Sequence, residues 1–319
     1  MQKGRNIINN PVQFGLLLAL AATLLYSLKP ILIKLIYVHD ISSVNILAWR
    51  VIISLPIYMA VGWWVWRQRR KRYIRNPARD YWVIKTIILG VLAYYLAALL
   101  DLIGLQYISS QLARLILFTY PTLVAVLGWL IFRQAIDQRV MVALVLSYLG
   151  VGFIFAYDLD SLGDQVIFGS VMMFLSALAF SLYVLLSKNV IDAVGGASFT
   201  VVAMLSSGVC ILLHFLLTTQ SFTGLAISMT AFTLIAVMAI STTVIPSFLI
   251  AEAIARIGPQ RTAIAGTFGP AATSIFAVLI LGEAFGWPQI AGIVLVVAAI
   301  TYLQWDRIDE RESTVEVDY

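Results

Sequence analysis

Apolar positions run along this chain in long blocks rather than in alternation. Ten blocks stand out, at roughly 12–36, 43–66, 82–105, 108–132, 138–157, 167–188, 198–218, 229–254, 261–281 and 286–305. Each approaches the ~20 residues that an α-helix needs to cross a bilayer. Backbone groups in lipid must be satisfied within the protein, so blocks of this length predict helices. Polar residues gather between the blocks, at 37–43, 67–79 and 158–165, and again after 305.

Composition sharpens this picture. The 319 residues are 61% hydrophobic and 12% charged, with a mean hydropathy of +0.94. A soluble domain is usually about a quarter charged. Too little polar surface remains to cover a water-exposed globule, and a multi-pass membrane protein is predicted.

The net charge of +5 is placed for a membrane rather than for nucleic acid. Arg67, Arg69, Arg70, Lys71, Arg72, Arg75 and Arg79 cluster between the second and third blocks, as cytoplasmic loops do. That orientation puts both termini in the cytoplasm of a bacterial-type inner membrane. The predicted outer loops "YVHDISS" (37–43) and "DLDSLGDQ" (158–165) contain no Lys or Arg. No small-residue cleavage site follows the first block, which is therefore predicted to stay as a helix. The single Cys210 excludes an intrachain disulfide framework. The tail "RESTVEVDY" is expected to be solvated and disordered.

The chain also matches itself. Shifted by 149 residues, 106–135 lies on 255–284 without a gap. Ile108 then meets Ile257, Gln111 meets Gln260 and Pro121 meets Pro270. Shifted by 154, 14–34 lies on 168–188, where Phe14, Gly15, Ser27 and Lys34 match Phe168, Gly169, Ser181 and Lys188. Five helices per half is an odd number, so the halves must cross the bilayer in opposite senses. Inverted repeats of this kind build secondary transporters. The predicted fold is all-α, with ten transmembrane helices as two inverted five-helix repeats. Its divisions are a cytoplasmic N-terminus (1–11), a first repeat (12–157), an outer connection (158–166), a second repeat (167–305) and a cytoplasmic tail (306–319).

The repeated blocks "GLQYISSQLARLILFTYPTLVAVLGWLIF" (104–132) and "IARIGPQRTAIAGTFGPAATSIFAVLILGEAFGWPQIAGIVLVV" (254–297) resemble the drug/metabolite transporter superfamily, in its EamA-type branch. Lys34, Lys188 and Arg50 also fit, and the resemblance covers about residues 12–305. It implies a ten-helix carrier of small organic solutes, with a central cavity between the halves and helices five and ten at the periphery.

Ionisable groups within spans cost ~2.5–3.5 kcal/mol on insertion scales and are functional candidates. Asp101 and Arg114 each lie 6.5 residues from the midpoint of the third hairpin at 107.5. They should share a depth, about 10 Å below its tip at ~1.5 Å per residue. Lys29 lies at about 12 Å by the same rise. Two readings stand: an Asp101–Arg114 ion pair that pins helices three and four, or a trio of Lys29, Asp101 and Arg114 lining the cavity. The trio leaves one surplus positive charge, suited to a carboxylate or another anionic group. Asp101 could instead take up a proton and couple transport to a proton gradient.

Glu252 stands four residues before Arg256, a spacing that favours a local pair, near the cytoplasmic gate. Lys34 and Lys188 are expected to snorkel to the headgroups. His214 reads as a hydrogen-bonded packing residue. Pro121 and Pro270 each remove a helical hydrogen bond near mid-span, as does Pro30 beside Lys29. They are candidate hinge or gating positions. Tyr26, Thr119, Tyr120 and Thr267 are the polar groups beside them and complete the candidate substrate site. The small residues "GTFGPAATS" (266–274) would let helix nine approach a partner closely.

These features predict a secondary transporter of small metabolites, with amino acids as the first substrate class and export as the direction. No P-loop motif occurs, so no nucleotide hydrolysis by this chain is expected. No cofactor or metal is expected, and the expected partners are a small-molecule substrate and membrane lipid. The alternatives are a lipid or polyprenyl-linked flippase and an intramembrane lipid-modifying enzyme. The enzyme would need clustered acids or a His/Glu metal set, whereas His39 and His214 lie far apart.

Overall fold

The computed structural model describes residues 11–69, 78–133, 138–194, 196–219 and 227–315, and every regular element among them is helical. In chain order these are α1 (Pro11–Ser27), α2 (Lys29–Tyr37), α3 (Ser43–Arg69), α4 (Ala78–Gly90), α5 (Ala98–Leu105), α6 (Ser110–Phe118) and α7 (Tyr120–Phe132). There follow α8 (Gln138–Leu162), α9 (Gln165–Val194), α10 (Gly196–Thr219), α11 (Met229–Ala239), α12 (Ile245–Gly266), α13 (Gly269–Phe276) and α14 (Trp287–Val315). Three π-helical stretches join or extend them, at Val91–Ala97, Ile240–Val244 and Ala277–Leu281.

Among the described residues, eight helices are long and apolar enough to cross a bilayer, and two shorter apolar ones lie at Gly269–Leu281 and Trp287–Tyr302. Of the ten expected runs, eight are thus present at spanning length. The ninth is divided, because its first residues belong to α12 and a turn at 267–268 separates them from α13. The chain is a multi-pass membrane protein.

Three turns divide helices where the sequence places proline. Leu28 separates α1 from α2, Thr119 separates α6 from α7, and 267–268 separates α12 from α13. Pro30, Pro121 and Pro270 each take the second position of the following segment. There the missing N–H has no helical acceptor to lose, and the fixed φ suits a helix start. Pro56 lies inside α3 without a break.

Irregularities recur at a fixed separation. The turn at Thr119 and the one ending at Phe268 are 149 residues apart, as are the π-helical starts at Val91 and Ile240. So are the left-handed caps Arg133 (φ 53°) and Gly282 (φ 66°). Glycine adopts that conformation at little cost, whereas arginine pays a penalty of ~1–2 kcal/mol.

Close approaches fix the packing. A Cβ on Gly150 would lie 2.7 Å from the Gly292 carbonyl, and one on Gly292 would lie 2.7 Å from that of Gly150, so α8 and α14 touch backbone to backbone. Gly104 and Gly169 meet the same way, joining α5 to α9. The first helix, α1, packs on α12 and α13, while α9 packs on α4 to α7. Neither half is therefore a self-contained bundle. The main core gathers Ile46, Leu47, Leu102, Leu105, Leu112 and Ile235 among others, all at most 2% exposed.

Three expectations are corrected. The segment 158–165 was read as a connection, but it is helical to Leu162 and α9 begins at Gln165. The gap between the eighth and ninth apolar blocks, 255–260, is continuous helix within α12. The tail expected to be disordered continues α14 to Val315. The basic residues at 70–75 lie outside the described residues.

Candidate functional site

Within the bundle, Lys29 opens α2 and Asp101 lies on α5, and the two meet. Lys29 Nζ donates to Asp101 Oδ2 at 2.6 Å. Asp101 is 5% exposed whereas Lys29 is partly exposed, so the carboxylate end of the ion pair is desolvated. The reading in which Asp101 pairs with Arg114 is corrected: Lys29, 72 residues away, takes the carboxylate. A buried carboxylate needs a close, hydrogen-bonded cation, and the turn at Leu28 aims the Lys29 ammonium at it.

Arg114 stays within electrostatic range of Asp101, Tyr120 and Tyr26. Its Nε is buried without a hydrogen-bond partner, and its guanidinium stacks on Phe118 at 4.8 Å. Gly269 lies against both groups: an added Cβ would come within 2.7 Å of Arg114 Nη2 and 3.1 Å of the Phe118 ring. The small-residue stretch 266–274 was expected to bring helices together; at Gly269 it makes room for an arginine instead.

A fourth charge, missed in the trio, belongs here. Arg50 on α3 lies within electrostatic range of Asp101 and Tyr58 and is only partly exposed. The signal was present, since Arg50 is a fixed charge inside an apolar run. It was weighed only as a family feature.

Aromatic side chains continue the site away from the charges. Tyr94 and Tyr183 share a hydrogen bond of 3.0 Å and stack edge to face. Phe180 links Tyr120 to Tyr183, and Phe199 closes the row. Tyr26 faces this row, within range of Tyr183 and Tyr58. Thr119 is buried, and its hydroxyl donates to the Ile116 carbonyl at 2.7 Å, so it closes the end of α6. Thr267 is buried in the turn before α13.

Hydroxyls stitch the broken helices together. Ser27 Oγ donates to the Gly269 carbonyl at 3.1 Å, and Thr273 Oγ1 donates to the Ser27 carbonyl at 3.3 Å. Ser181 Oγ donates to the Tyr120 carbonyl at 3.3 Å. Neighbouring side chains thus supply polar contacts where the helices break, as helix breaks at membrane depth require.

A second cluster closes one end of the bundle. Lys34 Nζ lies 3.3 Å from Glu283 Oε1, so Lys34 is held in an ion pair rather than snorkelling. Glu283 also accepts from Ser110 N at 2.9 and 3.1 Å, and Asp158 accepts from Ser109 N at 2.8 Å. Both carboxylates satisfy amides at the start of α6, where the helix dipole favours negative charge. Gln111 adds a bond to the Ala284 carbonyl at 2.9 Å. At the other end Glu252 and Arg256 form the expected local pair, at 2.7 Å. His214 is hydrogen-bonded to Tyr95 as expected, at 3.0 Å, and Lys188 is exposed.

Known proteins resemble this chain in sequence and in fold. The sequence profile of the EamA-like transporter family matches residues 13–156 and again 167–304. An uncharacterized transporter of Bacillus subtilis strain 168, YcbK, is 27% identical over 300 residues, covering 92% of this chain and 94% of its own. An uncharacterized transporter of Vibrio cholerae serotype O1 is 26% identical over 274 residues, covering 85% of each chain. One solved crystal structure aligns with a TM-score of 0.60, over 90% of this chain and 96% of its own. At 14% identity that likeness is one of fold.

Proposed function

The chain belongs to the EamA-like transporter family, and from that membership we propose a secondary transporter of small carboxylate-bearing metabolites, amino acids among them, working outward across the inner membrane. The single observation that carries the substrate reading is Arg114. It is a fixed cation at membrane depth whose Nε has no acceptor and whose guanidinium rests against the start of α13. Leaving a charge so placed without a counter-ion is costly. An anionic solute supplies that counter-ion when it binds.

Alternating access rests on ten helices arranged as two inverted repeats, 12–157 and 167–305, with both termini cytoplasmic. Support comes from two hydrogen bonds that exchange under the repeat. Ser27 to Gly269 and Ser181 to Tyr120 interchange by shifts of 154 and 149 residues. The double match of the family profile, once per half, agrees with this. In this reading Pro30, Pro121 and Pro270 are hinges, the Lys34–Glu283 cluster is the outer gate, and Glu252 belongs to the cytoplasmic gate. Tyr26 and Tyr120 line the solute path, with Thr119 and Thr267 at the hinges. Asp101, once released from Lys29, can carry a proton.

Reconstitution tests the proposal. Liposomes containing purified protein are challenged with labelled amino acids and organic acids, with and without a pH gradient. Arg114→Ala should reduce uptake of carboxylates at least about tenfold, the scale for losing one partner of a buried charge pair. Unaltered uptake by well-folded Arg114→Ala protein would remove Arg114 from the site.

A further inference from the structure

The charge balance around Asp101 points to a narrower ligand class. Three cations, Lys29, Arg50 and Arg114, share the surroundings of one carboxylate. Asp101 is committed to Lys29 at 2.6 Å. The other described ion pairs are Lys34–Glu283 and Glu252–Arg256, and Asp158 is bound to the Ser109 amide. Three positive charges less one negative leaves two, and both reside on arginines. Neither has a carboxylate partner among the described residues.

Each such charge is costly to keep within a span without a counter-ion. A monocarboxylate would neutralise one arginine and leave the other. A zwitterionic amino acid would do less, because its ammonium group would have to compete with Lys29 for Asp101. Besides Asp101, the groups within electrostatic range of the two arginines are hydroxyls: Tyr58 for Arg50, and Tyr120 and Tyr26 for Arg114. They add donors for anionic oxygens and no further negative charge.

Resting on the transporter reading above, we propose that the preferred ligand is a small dianion, held with one anionic group on Arg114 and the other on Arg50. Arg50 is then the residue that separates dianions from monoanions. Each planar guanidinium presents a fork of donors suited to bidentate contact with carboxylate or phosphoryl oxygens. Both dicarboxylates and phosphomonoesters have this chemistry, so the test includes one of each.

Succinate, glycerol 3-phosphate, butyrate and alanine are compared in two measurements: counterflow in liposomes and the thermal shift of the purified protein in detergent. At least one dianion should exceed butyrate and alanine about tenfold or more in both, and the winning dianion identifies the class. Arg50→Gln should lower the dianion-to-butyrate ratio by about tenfold or more. Arg50→Lys, which keeps the charge and loses the fork, should fall between the two. Melting temperatures without ligand show whether each variant is folded. Counterflow of butyrate or alanine with no dianion advantage overturns the dianion proposal and leaves the transporter reading intact. A thermal shift by a dianion without any counterflow does the reverse. Neither response overturns both, and an unchanged ratio in folded Arg50→Gln overturns the role of Arg50.

Discussion

A methyl group at Gly269 would lie 2.7 Å from Arg114 Nη2 and 3.1 Å from the Phe118 ring. The obstructing atoms are the ends of flexible side chains, so the fold can yield while the guanidinium is pushed aside. Gly269→Val should therefore reduce carboxylate counterflow several-fold and move the melting temperature by less than about 4 °C, the scale of one kcal/mol for a chain of this size. Counterflow equal to the unsubstituted protein's would mean that Arg114 does not need this position. At this scale the sequence was informative about which residues matter, since Lys29, Asp101 and Arg114 stand out from an oily background. It was silent about who pairs with whom. Asp101 has Arg114 only 13 residues away, yet it takes Lys29 across 72. That choice depends on where the turn at Leu28 points an ammonium group, which spacing along the chain does not encode.

The proline-bearing turns were readable because a missing N–H has the same consequence in any helix. The π-helical stretches were not, because an extra residue per turn leaves no mark in residue type. Their recurrence at Val91 and Ile240 appears only once the backbone is seen. Helix ends were similarly opaque: α14 continues to Val315 through charged residues that hydropathy alone assigns to solvent. Pro121→Ala tests the hinge directly. It removes the ring that prevents a continuous helix and supplies the N–H that a straightened helix would donate to the Leu117 carbonyl. The break at Thr119 should then tighten. The melting temperature should stay level or rise, while counterflow slows. Unchanged counterflow kinetics would reduce the break to a static bend.

Across the whole molecule, the two halves are interlocked through α1 and α9, so any motion of one must be accommodated by the other. The repeat was legible from matched Gly, Pro, Ser and Lys. The cluster at the Glu283 end, proposed above as a gate, was not, because Lys34, Ser110 and Glu283 come from α2, the start of α6 and the segment before α14. Glu283→Gln keeps an acceptor for the Ser110 amide and loses the attraction for Lys34. Hydrogen exchange should then quicken across both 106–112 and 282–286, by about two- to tenfold for a partly exposed pair of ~0.5–1.4 kcal/mol. Unchanged exchange in either segment would show that the ion pair does not hold that end shut. The repeat carries one more lesson here. Lys188 answers to Lys34, but Gln134 stands where Glu283 would be answered, and Pro259 where Ser110 would offer its amide. Under the transporter reading proposed above, an ion pair present in one half and lacking its counterpart in the other would bias the empty carrier toward standing open on the unpaired side. Solute arriving from that compartment would meet a vestibule already open.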